Sequence, residues 1–269
     1  MSALACNPRL FVALGALGLI ALVSIFAPWI AGHDPRVAAP ENQLLEPSRE
    51  YPFGTDLLGR DVFSRVVYGG RRTLGVALLT VVVTLLPGIA IGLVAGYAGR
   101  WLDWALMSVM DALLAFPSLL LALALVTVFG SGMVQIAFAV GIAGIPAYAR
   151  VARAAVLEAR TEAYVDAARA IGARPVGILA RHVVPAIAMP LLSFAGVTLS
   201  WAILNSAALM FLGYGGDISA PDWGVMLADG RESFRTGPWI AAAPGVALSL
   251  TVFAINLLAN SVALPLRNR

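Results

Sequence analysis

Lysine is absent from this 269-residue sequence, cysteine occurs once, at Cys6, and histidine twice, at His33 and His182. Each scarcity excludes a class of chemistry. A nucleotide-hydrolysing P-loop needs a lysine on the phosphates, so this chain is not a motor of that kind. A single cysteine allows neither an intrachain disulfide nor a cysteine-based metal centre, and no metal site is expected. The two histidines fall in separate polar segments, neither beside a Ser or Cys in a nucleophile arrangement, so the chain is not expected to be an enzyme. Charge is also scarce. At 12% charged and 60% hydrophobic residues, with a mean hydropathy of +0.86, the composition lies outside the range of soluble domains. The pI near 9.4 comes from arginines scattered through loops rather than gathered in one stripe, which argues against nucleic-acid binding.

What fills the chain is apolar length. A bilayer-crossing helix needs about 20 apolar residues, and six such runs are present, at 10–31, 74–98, 103–127, 132–154, 187–212 and 239–263. The expected fold is an all-α integral membrane protein surrounded by membrane lipid. The first run, "LFVALGALGLIALVSIFAPWIAG", exceeds the ~7–15-residue core of a secretory signal and lacks a small-x-small cleavage site, so it is expected to stay as an anchor. Gly130, Ser131 and Gly132 read as the turn between runs three and four. Two units are expected: 1–73, an anchor plus an amphipathic helix within 51–72, and 74–269, a five-helix core. Arg150 and Arg153 lie at the end of the fourth run and Arg160, Arg169, Arg174 and Arg181 follow it, and Arg9, Arg267 and Arg269 flank the ends. Positive charge gathers on the cytoplasmic side, which places both termini and 155–186 there. Arg60, Arg65, Arg71 and Arg72 in the first loop argue the other way.

One polar segment interrupts the apolar chain: "YVDAARAIGARPVGILARHVVP", residues 164–185. From Leu157 to Ile171 the apolar residues Leu157, Tyr164, Ala168 and Ile171 recur at helical spacing. Gly172 sits where a left-handed cap is needed. Pro175 suits the first turn of a second helix, with Val176, Leu179 and Val183 as its apolar stripe, and Pro185 is expected to stop it. A helix, a glycine turn and a helix suit a groove on a partner protein. An amphipathic hairpin lying in the membrane interface has the same pattern.

Three further features stand out inside the runs. Gly88, Gly92 and Gly96 repeat every four residues and make a flat packing stripe. Asp111 lies inside the third run, where a carboxylate costs roughly 2.5–3.5 kcal/mol; Arg150 or Arg153 is its expected counter-ion in a structural pair. Trp201, Asn205 and Ser206 in the fifth run either line a translocation path or bond between helices.

The run Asp166-Ala167-Ala168, then Gly172, then Pro185 resembles the cytoplasmic signature of ABC-importer permeases, with Asp166 in place of Glu, His182 of Ile and Val184 of Leu. "YPFGTDLLGRDVFSRVVYGGRRTL", "MDALLAFPSLLLALAL", "SAALMFLGYG" and "PDWGVMLADGRESFRTGPW" are similar, in order, to segments of the second permease of dipeptide, oligopeptide and nickel importers. The resemblance implies a type I ABC importer permease fold with six transmembrane helices, in the cytoplasmic (inner) membrane of a bacterium or archaeon. It implies transport of a small solute such as a di- or oligopeptide. It also implies three kinds of partner: a homologous second permease, two ATP-binding subunits that carry ATP and Mg, and an extracytoplasmic substrate-binding protein. This chain itself would need no cofactor. Tyr164, Asp166, Ala167, Ala168, Gly172 and Pro185 would dock on the ATPase. Asp217, Asp222, Asp229 and Glu232 would meet the binding protein. Ser206 stands where relatives commonly carry Glu, and "NLLANSVAL" at 256–264 departs from the usual "NLLGDGLRD", so roles of those residues do not carry over. The alternative is an ion-coupled secondary transporter using Asp111. Such carriers show paired broken helices in two repeated halves, and no such repeat is visible.

Overall fold

The computed structural model describes residues 8–217 and 219–263. Cys6, both termini, Arg267 and Arg269 lie outside the described residues. Among the described residues there are helices and no strands. In order they are α1 (Pro8–Ile25), α2 (Ala27–Ile30), α3 (Val62–Ala98), α4 (Arg100–Leu114), α5 (Ser118–Phe129), α6 (Met133–Ala159), α7 (Ala163–Ala170), α8 (Pro175–Ile178), α9 (Val184–Phe211), α10 (Trp223–Glu232) and α11 (Trp239–Ala263). A π turn, Leu179–Val183, joins α8 to α9. Five stretches are long and apolar enough to cross a membrane, and the bent pair α4–α5 makes a sixth. Helices are what lipid demands, because every backbone N–H and C=O must be paired inside its own segment.

Three boundaries differ from the hydropathy reading. The amphipathic helix expected within 51–72 is not separate. Residues 51–61 form turns, and α3 starts at Val62 and runs 37 residues without a break, so the 73/74 division falls inside one helix. Its start is fixed by Asp61, whose carboxylate accepts from the N–H groups of Phe63 and Ser64 and satisfies two of the helix's free donors. The third run is not one helix: α4 and α5 meet at 90°. Pro117 has no N–H and disfavours helical backbone at Phe116, so the chain turns at 115–117. Pro185, expected as a stop, lies inside a continuing helix. Val184 N–H donates to Leu179 C=O in a π-type bond, and the widened turn feeds the helix through a residue that cannot donate.

The bundle is held along the contact between α3 and α6. Gly88, Gly92 and Gly96 lie against Tyr148, Ala152 and Val156, and on the opposing side Gly141 and Gly144 admit Val83 and Thr84. The Thr84 hydroxyl donates across the seam to Gly141 C=O at 3.0 Å. Without a hydrophobic drive between helices in lipid, such close approach supplies the packing. A Cβ on Gly92 would collide with Ala152 Cβ and stand 2.8 Å from Ala149 O and Arg153 N. Gly92→Val is therefore expected to destabilise the chain by roughly 1–3 kcal/mol, the usual cost of overpacking. Gly75→Val, where a Cβ meets nothing within 4 Å, is the control. Thermal unfolding of the purified variants checks this, and equal midpoints would contradict it.

Candidate functional site

At one end of the bundle the apolar core runs out of the spans into α7 and α8. Tyr148, Ala152, Val156 and Ala159 of α6 form one cluster with Val165 and Ala168 of α7, Ile178, Val183 of the π turn and Ile187 at the start of α9. Two polar ties reinforce it. Tyr97 Oη donates to Pro175 C=O at 2.9 Å, and Arg160 Nη1 donates to Gly96 C=O at 2.8 Å. Val165 and Ala168 of α7 are thus part of the same close-packed cluster as α6 and the start of α9.

The turn itself is built on Gly172, which has φ +80°. Its N–H donates to Arg169 C=O at 3.0 Å, and Ala173 N–H reaches back to Ala168 C=O at 3.1 Å, closing the end of α7. Of the residues assigned to docking, Ala168 is buried within the chain. Tyr164, Asp166, Ala167, Gly172 and Pro185 are exposed, and Asp166 pairs with Arg169 at 2.8 Å. The apolar stripe differs from the sequence pattern. Helix α6 ends at Ala159, residues 160–162 reset the phase, and Val165 rather than Tyr164 or Ile171 joins Ala168 on the buried face. Ile171 and Val176 are instead 86% and 77% exposed, on either side of the glycine turn. Tyr164 lies 6.1 Å from the His182 ring.

The residues assigned to a path divide. Trp201 packs against the core beside Gly144, and Asn205 Nδ2 donates to Trp201 C=O within its own helix at 2.9 Å. Ser206 is buried, with no hydrogen-bond partner for its hydroxyl among the described residues. Its side chain lies within the packing of the chain. Arg150 meets Asp111 at 2.5 Å, whereas Arg153 is bound bidentately by Asp103 at 2.5 and 2.7 Å. Asp103 had no assigned role in the sequence; its position in the first turn of α4 gave no signal that α6 would lie opposite.

At the other end, the four acids assigned to a protein partner have different environments. Asp217 is exposed, and the Ser219 hydroxyl and N–H hold its pKa below the ordinary value. Glu232 is exposed on α10. Asp222 is a correction. It is fully buried, caps α10 through Gly224 N–H at 2.8 Å and accepts from Thr73 Oγ1 at 2.8 Å. Burial pushes its carboxyl up while Thr73 and Gly224 hold it down, and it cannot touch a partner. Asp229 is partly buried among arginines, pushed up by burial and held down by Arg65 and Arg60. It bonds Arg60 Nη2 at 3.2 Å.

A broken third span, a glycine-tight seam and a helix–turn–helix packed on the core make an all-helical membrane protein. The chain belongs to the family of binding-protein-dependent transport system inner membrane components, whose model matches residues 88–267. It is a multi-pass inner-membrane protein and an ABC importer permease. Among its relatives, the di/tripeptide transport system permease protein of Pseudomonas aeruginosa is 39% identical, over 92% of this chain and 86% of its own. The dipeptide transport system permease protein of Alkalihalophilus pseudofirmus is 38% identical, over 90% and 79%. The glutathione transport system permease protein of Pectobacterium atrosepticum is 36% identical, over 91% and 81%. Nothing in this set supports the ion-coupled alternative.

Proposed function

We propose that this chain is the non-catalytic translocation subunit of an importer of short peptides. It works with a homologous second permease, two ATP-hydrolysing subunits that hold ATP and Mg, and an extracytoplasmic binding protein. The observation that carries this reading is the exposed apolar pair Ile171 and Val176, set on a rigid turn whose other side is continuous with the transmembrane core. Apolar side chains that protrude into water beside Gly172 are explained by a groove on a partner. The peptide substrate rests on the relatives that transport dipeptides, di/tripeptides and the tripeptide-like glutathione. In this arrangement 155–186 and both termini are cytoplasmic, and 32–72 and 213–238 face outward, where Asp217, Glu232 and the exposed edge of Asp229 meet the binding protein.

The test uses Ile171→Cys in a Cys6→Ser background, co-expressed with the full complex. Position 171 is expected to crosslink to an ATP-binding subunit and to resist an impermeant thiol reagent applied to intact cells. Labelling from outside would overturn the orientation, and failure to crosslink under conditions where ATPase and permease co-purify would overturn the docking role.

A further inference from the structure

The charged pairs between α4 and α6 are in an unusual place. Arg150 lies nine residues before the end of α6, about 13 Å along the helix, where the apolar stretch gives way to Arg150, Arg153 and Glu158. Yet Arg150 and Asp111 are 51% and 55% exposed on the surface of the chain. Charges inside spans face the bundle interior or a water-filled cavity rather than lipid. The structure has an open cavity at the α4–α6 face of about 510 Å³ in which Trp104, Met107 and Ser108 accompany the charges.

The two ion pairs are not equivalent. Arg153 and Asp103 are joined by two parallel hydrogen bonds and are 34% and 17% exposed, the geometry of a fixed fork. Arg150 engages a single oxygen of Asp111, through Nη2 at 2.5 Å and Nε at 3.2 Å, and both groups stand open. An exposed pair of this kind is worth only about 0–1 kcal/mol, so either charge exchanges its partner at little cost. From Asp103 to Asp111 is about 12 Å along α4, while Arg153 to Arg150 is about 4.5 Å along α6. The two acids are thus spread further along α4 than their arginines are along α6.

We propose that Asp111 and Arg150 form a transit site for short zwitterionic peptides on the translocation path. Asp111 takes the peptide ammonium and Arg150 its terminal carboxylate, each released from the other as the ligand arrives. Arg153 and Asp103 hold the wall of the site in place. Weak, exchangeable binding is what a path requires, since a ligand must leave as readily as it enters. The site rests on the peptide reading above and deepens it: the importer favours solutes with both free termini.

The experiment uses the complete complex in proteoliposomes, with Cys6→Ser and Ser108→Cys. A charged methanethiosulfonate is expected to modify position 108. Millimolar dialanine should slow that modification several-fold, and N-acetyl-dialanine amide, which lacks both charges, should not. Adding Asp111→Asn should remove the protection while the modification continues. No modification would show the face sealed by lipid or protein and overturn the site. Protection by both compounds, by neither, or unaffected by Asp111→Asn would also overturn it. Dialanine uptake is measured on the same vesicles: uptake without protection sinks the site alone, whereas no uptake of short peptides sinks the peptide reading and the site with it.

Discussion

Gly172→Val is expected to abolish uptake while leaving the chain in the membrane at normal abundance. A Cβ at this position meets no atom within 4 Å, so crowding is not the cause. The cause is φ at +80°, a conformation that costs an L-residue roughly 1–2 kcal/mol and is worst for a β-branched one. The turn that closes α7 relaxes to recover that cost, and the backbone that sets Ile171 against Val176 moves with it. Global stability changes little, because Val165, Ala168 and Ile178 keep their places in the core. The ATP-binding subunits would still hydrolyse ATP, but substrate-loaded binding protein would no longer stimulate them. Gly172→Asn should retain part of the activity, since Asn enters the left-handed region more readily. Reconstituted complex measured for uptake and stimulated hydrolysis decides the matter: wild-type values for the Val variant would refute the coupling role of this turn.

The long runs were legible because lipid imposes one rule on every residue: a helix that is apolar all round shows as an unbroken run, and α6, α9 and α11 coincide with their hydropathy peaks to within a few residues. The backbone turn at Gly172 was also legible, since few residues other than glycine adopt the left-handed conformation that caps a helix there. The failures share one physical reason. Phe116–Pro117 bends a span, whereas Pro185 is absorbed by a π turn, and the choice depends on what packs beside each proline rather than on the proline. Asp222 read as a loop acid because its Thr73 partner is 149 positions away. Leu157, Tyr164, Ala168 and Ile171 read as one stripe because the helix is extended through 160–162, where the chain in fact breaks phase. The permease class was legible through resemblance; the ion pairing around Asp56, Arg60, Arg65 and Asp229 was not, being a property of three segments meeting.

Asp56→Asn is expected to cost the most stability of any single charge neutralisation outside the spans. Asp56 is 2% exposed and works at both oxygens: Oδ1 accepts from Leu58 N–H at 2.9 Å and Arg60 N–H at 3.0 Å, and Oδ2 from Arg60 Nε at 2.6 Å, with Arg65 Nε at 3.6 Å. Arg65 is buried as well, and its Nη1 donates to the carbonyls of Pro35 and Ser219. Asp229 supplies the second negative charge, 3.2 Å from Arg60 and 3.6 Å from Arg65. Two arginines balanced by two aspartates make a neutral cluster that pins loop 31–61 against α10 and the 219–222 approach to it. Trp239 Nε1 adds a bond to Thr55 C=O at 3.0 Å in the same loop. Asparagine preserves the shape and can still accept hydrogen bonds but removes the charge, leaving two buried guanidinium groups facing one partly exposed carboxylate. Losing one partner of a buried pair costs about 3–5 kcal/mol. By contrast Asp111→Asn breaks an exposed pair and should cost no more than about 1 kcal/mol. Because the cluster shapes the outer face assigned to the binding protein, Asp56→Asn should also weaken stimulation of ATP hydrolysis by that protein. Thermal unfolding of the two variants side by side gives the answer: comparable losses at positions 56 and 111 would show that the outer cluster does not hold this loop in place.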